Sequence, residues 1–368
     1  MLIVNRHTTR DDGPFLATLR IQPTARSQLT DVRGRLLEEF GDDFARFARS
    51  FYISDHTTAG YLDQRMAELL EHDRSGINDY LELFRELFPP GADYVHDTME
   101  LRSELTEEQR ASEPLNADSH LTFIGAGLRN SASYELKGGE PVWFVELDGV
   151  HLGGTRQRRT TVLAYDREEE VERCRIRIPA SPHAIDAQNL RDPRVGFIGA
   201  LERMVDGHRV AFGRFDVSLP DGEENAGLTV NEYEPLLMDY DLRNALRNPF
   251  RFMAQTGKDV RHALRDPRSI PAKAMNFAQF DAVQVLNQVL DRVRLRNSVV
   301  ERVVNRAVAL PVSHFLRMKR AVSLPVLDRG GDGTGDIGWG TYQSPILVQW
   351  RGAPRQSREL EVTLLRFV

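Results

Sequence analysis

The sequence predicts an α+β fold made of two repeated domains, each a mostly antiparallel β-sheet packed with helices. Three observations predict it. Short segments of alternating bulky residues, SASYEL, PVWFVELDG and TRQRRTTVLAY, are joined by Gly-rich turns and read as hairpin-linked strands. Two long stretches, 62–88 and 277–310, carry apolar residues at helical spacing. The two halves of the chain also end alike, VWFVELDG before RQRRTTVLAY in one and ILVQW before RELEVTLL in the other.

Taken in order, 15–21 is a strand and 25–40 a helix. The apolar run SFYIS ends a strand, and HTTAG turns the chain into the helix at 62–88, with Thr57 or Thr58 as its cap. A polar, acidic stretch follows from 95 to 121. LTFIGAGL is read as a further strand ahead of SASYEL. The charged run 167–172 is a linker, so the domains are expected at 1–168 and 173–368. In the second domain RCRIRIP, AFGRFDVSL and AGLTVNE are strands, and 244–310 is a helical insertion. AVSLPVLD, PILVQW and ELEVTLLRF close the chain as strands. GGDGTGDIG, 330–338, lacks the GK[ST] ending of a phosphate loop and reads as a hairpin loop.

Composition narrows the function. The chain has 368 residues, 41% hydrophobic and 28% charged, which fits an ordinary globular protein. A net charge of −6 argues against general nucleic-acid binding. One cysteine, Cys174, allows no internal disulfide and points to a reducing compartment. No apolar run reaches the roughly 20 residues of a membrane span, and the N-terminal apolar run is too short for a signal peptide. A cytoplasmic protein without nucleic-acid or membrane partners is expected.

The motifs add a resemblance. The first half holds HTTAG (56–60), HD (96–97), NADSHL (116–121) and VELDG (145–149) in that order. The second holds AGLTVNE (226–232), SHF (313–315), GTYQ (340–343) and RGAPR (351–355). This set resembles the YjbQ-like family, the secondary thiamine-phosphate synthases, as a tandem duplication with a divergent second copy. The losses are complementary. The first copy keeps the histidines but has Gln64-Arg65 where the family has Asn-Glu. The second keeps Asn231, Glu232, Thr341 and Gln343 but has Glu223-Glu224-Asn225 in place of His-Thr-Thr. The resemblance implies a homo-oligomer, trimer-like in its arrangement of repeats, and a small-molecule substrate. The implied reaction joins a pyrimidine diphosphate to a thiazole phosphate and releases pyrophosphate.

Neutral imidazoles are good zinc ligands, and three of them leave a coordination position for water or substrate. His56, His96 and His120 are therefore the expected ligands of a divalent metal, zinc first. His96 and His120 lie in polar segments and are not expected in a core. His56, His120, Asp118 and Glu232 are the expected catalytic residues, with Asp97 and Asp118 next to ligands. Thr57, Thr58, Arg156, Arg158, Asn231 and Gln343 are expected to hold substrate or phosphate, since guanidinium pairs with phosphate oxygens. On a strand, though, Arg156 and Arg158 also read as a solvated face. His314 has apolar neighbours and is expected to be a relict core residue. Two other functions fit the same residues: metal-dependent hydrolysis or lyase chemistry, and a non-catalytic scaffold or binding protein.

Overall fold

The computed structural model describes residues 3–8, 13–103, 105–135, 138–151, 153–247, 251–252, 319–353 and 355–368. The expected helix at 277–310, most of the expected insertion, and His314 lie outside them.

In chain order, β1 (Ile3–Thr8), β2 (Phe15–Ile21) and β3 (Gln28–Asp31) come first. Helices α1 (Val32–Phe40) and α2 (Asp42–Ala45), then strands β4 (Arg49–Ser54) and β5 (Ala59–Tyr61), follow. Four helices come next: α3 (Gln64–Leu69), α4 (Arg74–Leu87), α5 (Glu107–Ser112) and α6 (Ala117–Gly125). Strands β6 (Ser131–Glu135), β7 (Trp143–Glu146), β8 (Val150–His151), β9 (Gly154–Thr155) and β10 (Arg158–Tyr165) complete the first half. The second half runs β11 (Glu168–Pro179), β12 (Asp186–Asn189), α7 (Phe197–His208), β13 (Phe212–Ser218), β14 (Ala226–Glu232) and α8 (Arg243–Arg247). It ends with β15 (Ala321–Leu327), β16 (Asp336–Ile337), β17 (Gln343–Gln349) and β18 (Ser357–Phe367).

The fold is α+β, with every named strand pair antiparallel. One sheet has the order β1-β2-β10-β4-β6 and stands with a small sheet β3-β7-β5. A second has the order β11-β18-β13-β15-β16 and stands with β12-β17-β14. Without β1 and β16, which extend opposite edges, the two sets repeat the same order in space and along the chain. A helix follows the second strand of each set, α1 in one and α7 in the other. Register agrees too: Gly60 faces Val145 as Gly227 faces Val348, and Tyr52 faces Val162 as Phe215 faces Leu364. Each set encloses its own core. Leu19, Val32, Tyr52, Tyr61, Phe144 and Val162 belong to one, Ile178, Phe197, Phe215, Leu228, Val326 and Leu364 to the other. A third cluster, Phe51, Ile53, Leu163, Tyr165, Phe212, Leu327 and Phe367, draws on both sets.

By contact the chain divides into two compact units, both discontinuous in sequence. One is Met1–Ala67, Gly127–Tyr233 and Met318–Val368; the other is Glu68–Ala126 and Glu234–Arg317. Both sheet systems belong to the first unit, and α4, α5, α6 and α8 to the second.

Several sequence expectations are corrected. The helix expected at 25–40 starts only at Val32, because Gln28–Asp31 pairs with β7 and Asp31 then caps α1 by accepting from Gly34 N–H. HTTAG opens a short strand, β5, rather than a helix, so Thr57 and Thr58 cap nothing there. The helix expected at 62–88 is two helices, because Glu71 and His72 adopt left-handed φ of 56° and 51°. The first five residues of LTFIGAGL, Leu121–Gly125, are helical as the end of α6, and no strand forms there. The charged run 167–172 is no linker: β11 runs from Glu168 through it and pairs with β18. Among the described residues no helix is long and apolar enough to cross a membrane.

Candidate functional site

Two clusters hold the candidate residues, one in each unit. In the second unit, α6 is set up by Asp97. Its Oδ1 accepts from the backbone N–H groups of Asn116 and Ala117, each at 3.1 Å, which satisfies two donors that a helix start leaves unpaired. Asp97 is thus a helix-capping residue, and α6 carries Asp118 and His120 into the interior. His96 and His120 are each only 1% exposed, so the expectation that their polar segments keep them out of the interior fails. Their rings meet edge to face with centroids 5.5 Å apart.

His96 is held on both nitrogens. Its Nδ1 lies 3.1 Å from Glu234 Oε2, and its Nε2 lies 3.3 Å from Asn116 Oδ1. Both Asp241 oxygens accept from backbone, one from Val95 N–H and one from His96 N–H. Burial drives the Asp241 carboxyl up to about 6, against the pull of those two N–H groups. Glu234 moves the other way. Burial would raise it, but bonds from His96 and from the N–H groups of Leu236 and Leu237 outweigh burial and hold it low. An ionised Glu234 therefore stands behind His96. Sequence reading missed Asn116, Glu234 and Asp241. Glu234-Pro235 at the start of a helical turn was a legible signal for an N-terminal acidic cap; Asp241 left none.

In the first unit, His56 sits in the loop between β4 and β5. Its Nε2 accepts from Arg159 N–H at 2.8 Å, which places the ring proton on Nδ1. Burial first, and then Arg158, Arg159 and Arg156, hold this imidazole down at about 3, so it is neutral. Arg158 is not a solvated strand residue. It is buried and braces Glu146 with Nε and Nη2, and Nη2 also donates to Thr58 Oγ1 and Asp148 O. Arg156 is paired with Asp148 at 2.7 Å. The Arg158 guanidinium and the Nη2 of Arg156 are thus engaged within the fold.

Asn231 and Gln343 reach this same loop from the second half. Asn231 Nδ2 donates to Thr57 O at 3.0 Å. Gln343 Nε2 donates to Ser54 O at 2.8 Å and to His56 O at 2.9 Å. They hold backbone carbonyls. Glu232 ends β14 beside them, half-buried, with its N–H on Asn231 Oδ1.

His56 belongs to one unit, and His96 and His120 to the other. Among the described residues no three His, Cys, Asp or Glu are grouped so as to hold a metal ion. His96 has a partner on each ring nitrogen, Glu234 on Nδ1 and Asn116 on Nε2, and His56 Nε2 accepts from Arg159 N–H, so none of these three nitrogens is turned toward an ion.

The fold defines the class, an α+β protein of repeated antiparallel sheets. No protein-family model and no curated protein matches the chain. Among solved structures the chain is similar to a YbjQ-like protein of unknown function from Sulfolobus solfataricus, with 14% identity over 54% of this chain and 99% of that one, TM-score 0.29. A hypothetical protein from Aeropyrum pernix gives 15% identity over 54% and 98%, TM-score 0.28. An uncharacterised yjbq/UPF0047-family protein from Clostridium acetobutylicum gives 14% over 52% and 98%, TM-score 0.24.

Proposed function

We propose that the chain is a tandem-duplicated YjbQ-like protein and an enzyme acting on a small phosphorylated or heterocyclic molecule, with its chemistry at the His96–Glu234 pair. The repeated strand order and register support the duplication. One observation carries the catalytic reading: Glu234 Oε2 stands 3.1 Å from His96 Nδ1 in the protein interior. A carboxylate there fixes the imidazole tautomer and raises the basicity of the far nitrogen. His120, edge-on to His96, and buried Asp118 complete the polar centre. A divalent ion, zinc first, would be held by His96 and His120 only once Asn116 leaves His96 Nε2. A homo-oligomer and a cytoplasmic location belong to the same proposal.

The test is release of pyrophosphate from a pyrimidine diphosphate and a thiazole phosphate, with a wider panel of phosphorylated heterocycles screened by thermal shift. Glu234→Gln keeps the shape of the centre and removes the charge, and should cost about 10²–10⁴-fold in turnover. His96→Gln should lose at least as much. Full activity in both variants, or a wild type that turns over and binds none of these compounds, would reduce the centre to a satisfied polar core and favour the scaffold reading.

A further inference from the structure

We propose that the chain has one working β4–β5 loop and one retired counterpart, and that Asn231 and Gln343 are positioning residues for the working one. The inference rests on contacts within the first unit and is independent of the His96 centre.

The counterpart is fixed by register. Gly60 and Gly227 face equivalent strand positions, so 56–58 corresponds to 223–225. Backbone bonds confirm the match: Leu147 N–H donates to Thr58 O at 3.1 Å, and Trp350 N–H donates to Asn225 O at 3.0 Å. One residue sits under a strand amide in each copy. In the first, Arg159 N–H donates to His56 Nε2 at 2.8 Å; in the second, Glu359 N–H donates to Glu223 Oε1 at 2.8 Å.

The chemistry of the two loops then diverges. Glu223 is also bound by buried Arg358, Nη1 to Oε2 at 2.9 Å, and the same Nη1 donates to Glu224 O at 3.0 Å. That loop is closed on its own half by an internal ion pair. The His56 loop also has an ion pair in its own half, Arg159 on Asp55, and Arg158 Nη2 donates to Thr58 Oγ1, but these leave its backbone carbonyls to other groups. Its carbonyls are held instead by side-chain amides: Asn130 and Gln343 on His56 O, Gln343 on Ser54 O, Asn231 on Thr57 O. Gly340 lies so close that a Cβ there would stand 1.8 Å from Asp55 O. Among the described residues the help runs one way. The groove of about 630 Å³ beside the second loop is lined, among the described residues, by second-half residues such as Arg177, Asp221, Glu223 and Glu359. The complementary losses in the sequence follow: the half that kept His-Thr-Thr is the half that is held, and the half that kept Asn231 and Gln343 is the half that holds.

Gln343→Glu is the sharp variant, since it keeps size and the acceptor for Gly340 N–H but donates nothing. Amide exchange in 54–61 should rise at least tenfold. The His56 ¹⁵N signature should move from the Nδ1–H tautomer of the wild type toward a mixture. Gln349→Glu, which strips donors from the Ser181 and His183 carbonyls, should change neither. Unaltered loop exchange and tautomer in a folded Gln343→Glu protein would overturn the proposal. If exchange rises throughout β13 and β18, that variant has unfolded, and Asn231→Asp decides. It removes the bond to Thr57 O, and a loop as protected as the wild type's overturns the proposal equally.

Discussion

At the scale of single residues, the strongest constraint near the His56 loop is the Arg158–Glu146 pair. The side chains are 8% and 2% exposed, so both charges are out of water. Burial raises Glu146, and the hydrogen bonds and charge of Arg158 oppose that rise. Such a pair need not stabilise the fold relative to apolar residues of similar size, but breaking it strands a charge. Arg158→Met should therefore cost about 3–5 kcal/mol in urea unfolding. Pairing it with Glu146→Leu should recover much of that loss. A single variant within 1 kcal/mol of wild type would show that water or another cation serves Glu146. The sequence displayed Arg158 as one of several strand arginines, and only tertiary pairing distinguishes it from Arg159, which is half-exposed on Asp55. His96 and His120 were legible as residues. Their burial was not, because the partners that make it tolerable, Glu234 and Asn116, lie far from His96 or in a different motif.

At the scale of elements, hydrophobic alternation located most strands because each sheet buries one face, as in β2, where alternate residues are buried. It failed where an apolar run was partly helical, in LTFIGAGL, whose residues are all buried and so show no helical period. It failed again at 62–88, where apolar spacing runs on through a break. The break has local causes. Glu71 and His72 take left-handed φ, and Asp73 then accepts from Gly76 N–H at 2.7 Å to start α4. Asp73, a capping residue type just ahead of the apolar-periodic stretch, was a readable start signal that the continuing period masked. Asp73→Ala should cost about 1 kcal/mol, the usual worth of such a cap, while Asp73→Asn or Asp73→Ser should be nearly neutral. Equal losses in all three, measured by thermal or urea unfolding, would mean that Asp73 acts through its charge instead.

At the scale of the whole molecule, the repeat was legible as motif order, and the structure adds how the two sheet systems of the first unit are joined. Strand-equivalent residues meet each other: Tyr165 and Phe367 stack at 3.9 Å and 3°, and Ser131 Oγ donates to Ser323 O at 2.6 Å. Besides that seam and the Asn231 and Gln343 bonds, the link is ionic. Asp63 of the first half takes Lys319 Nζ of the second at 2.7 Å and lies 3.6 Å from Arg129, which itself donates to Ala321 O at 3.2 Å. Burial would raise Asp63, but Lys319 and Arg129 together hold its carboxyl well below the ordinary carboxylate range. The sign follows from that. Above about pH 4 the unfolded chain is also ionised at this position, and the stabilisation is fully present. As pH falls below that value the unfolded carboxylate takes a proton while the folded one resists, so stability falls. Asp63→Asn should lower stability at pH 7 and flatten its decline between about pH 4 and pH 2. Because Lys319 then loses its carboxylate, Lys319→Met should have a similar effect, and the double variant should be less destabilised than the two single losses added together. An unchanged acid slope in Asp63→Asn, followed by urea unfolding at each pH, would mean that the ionic link adds nothing to the joining of the halves.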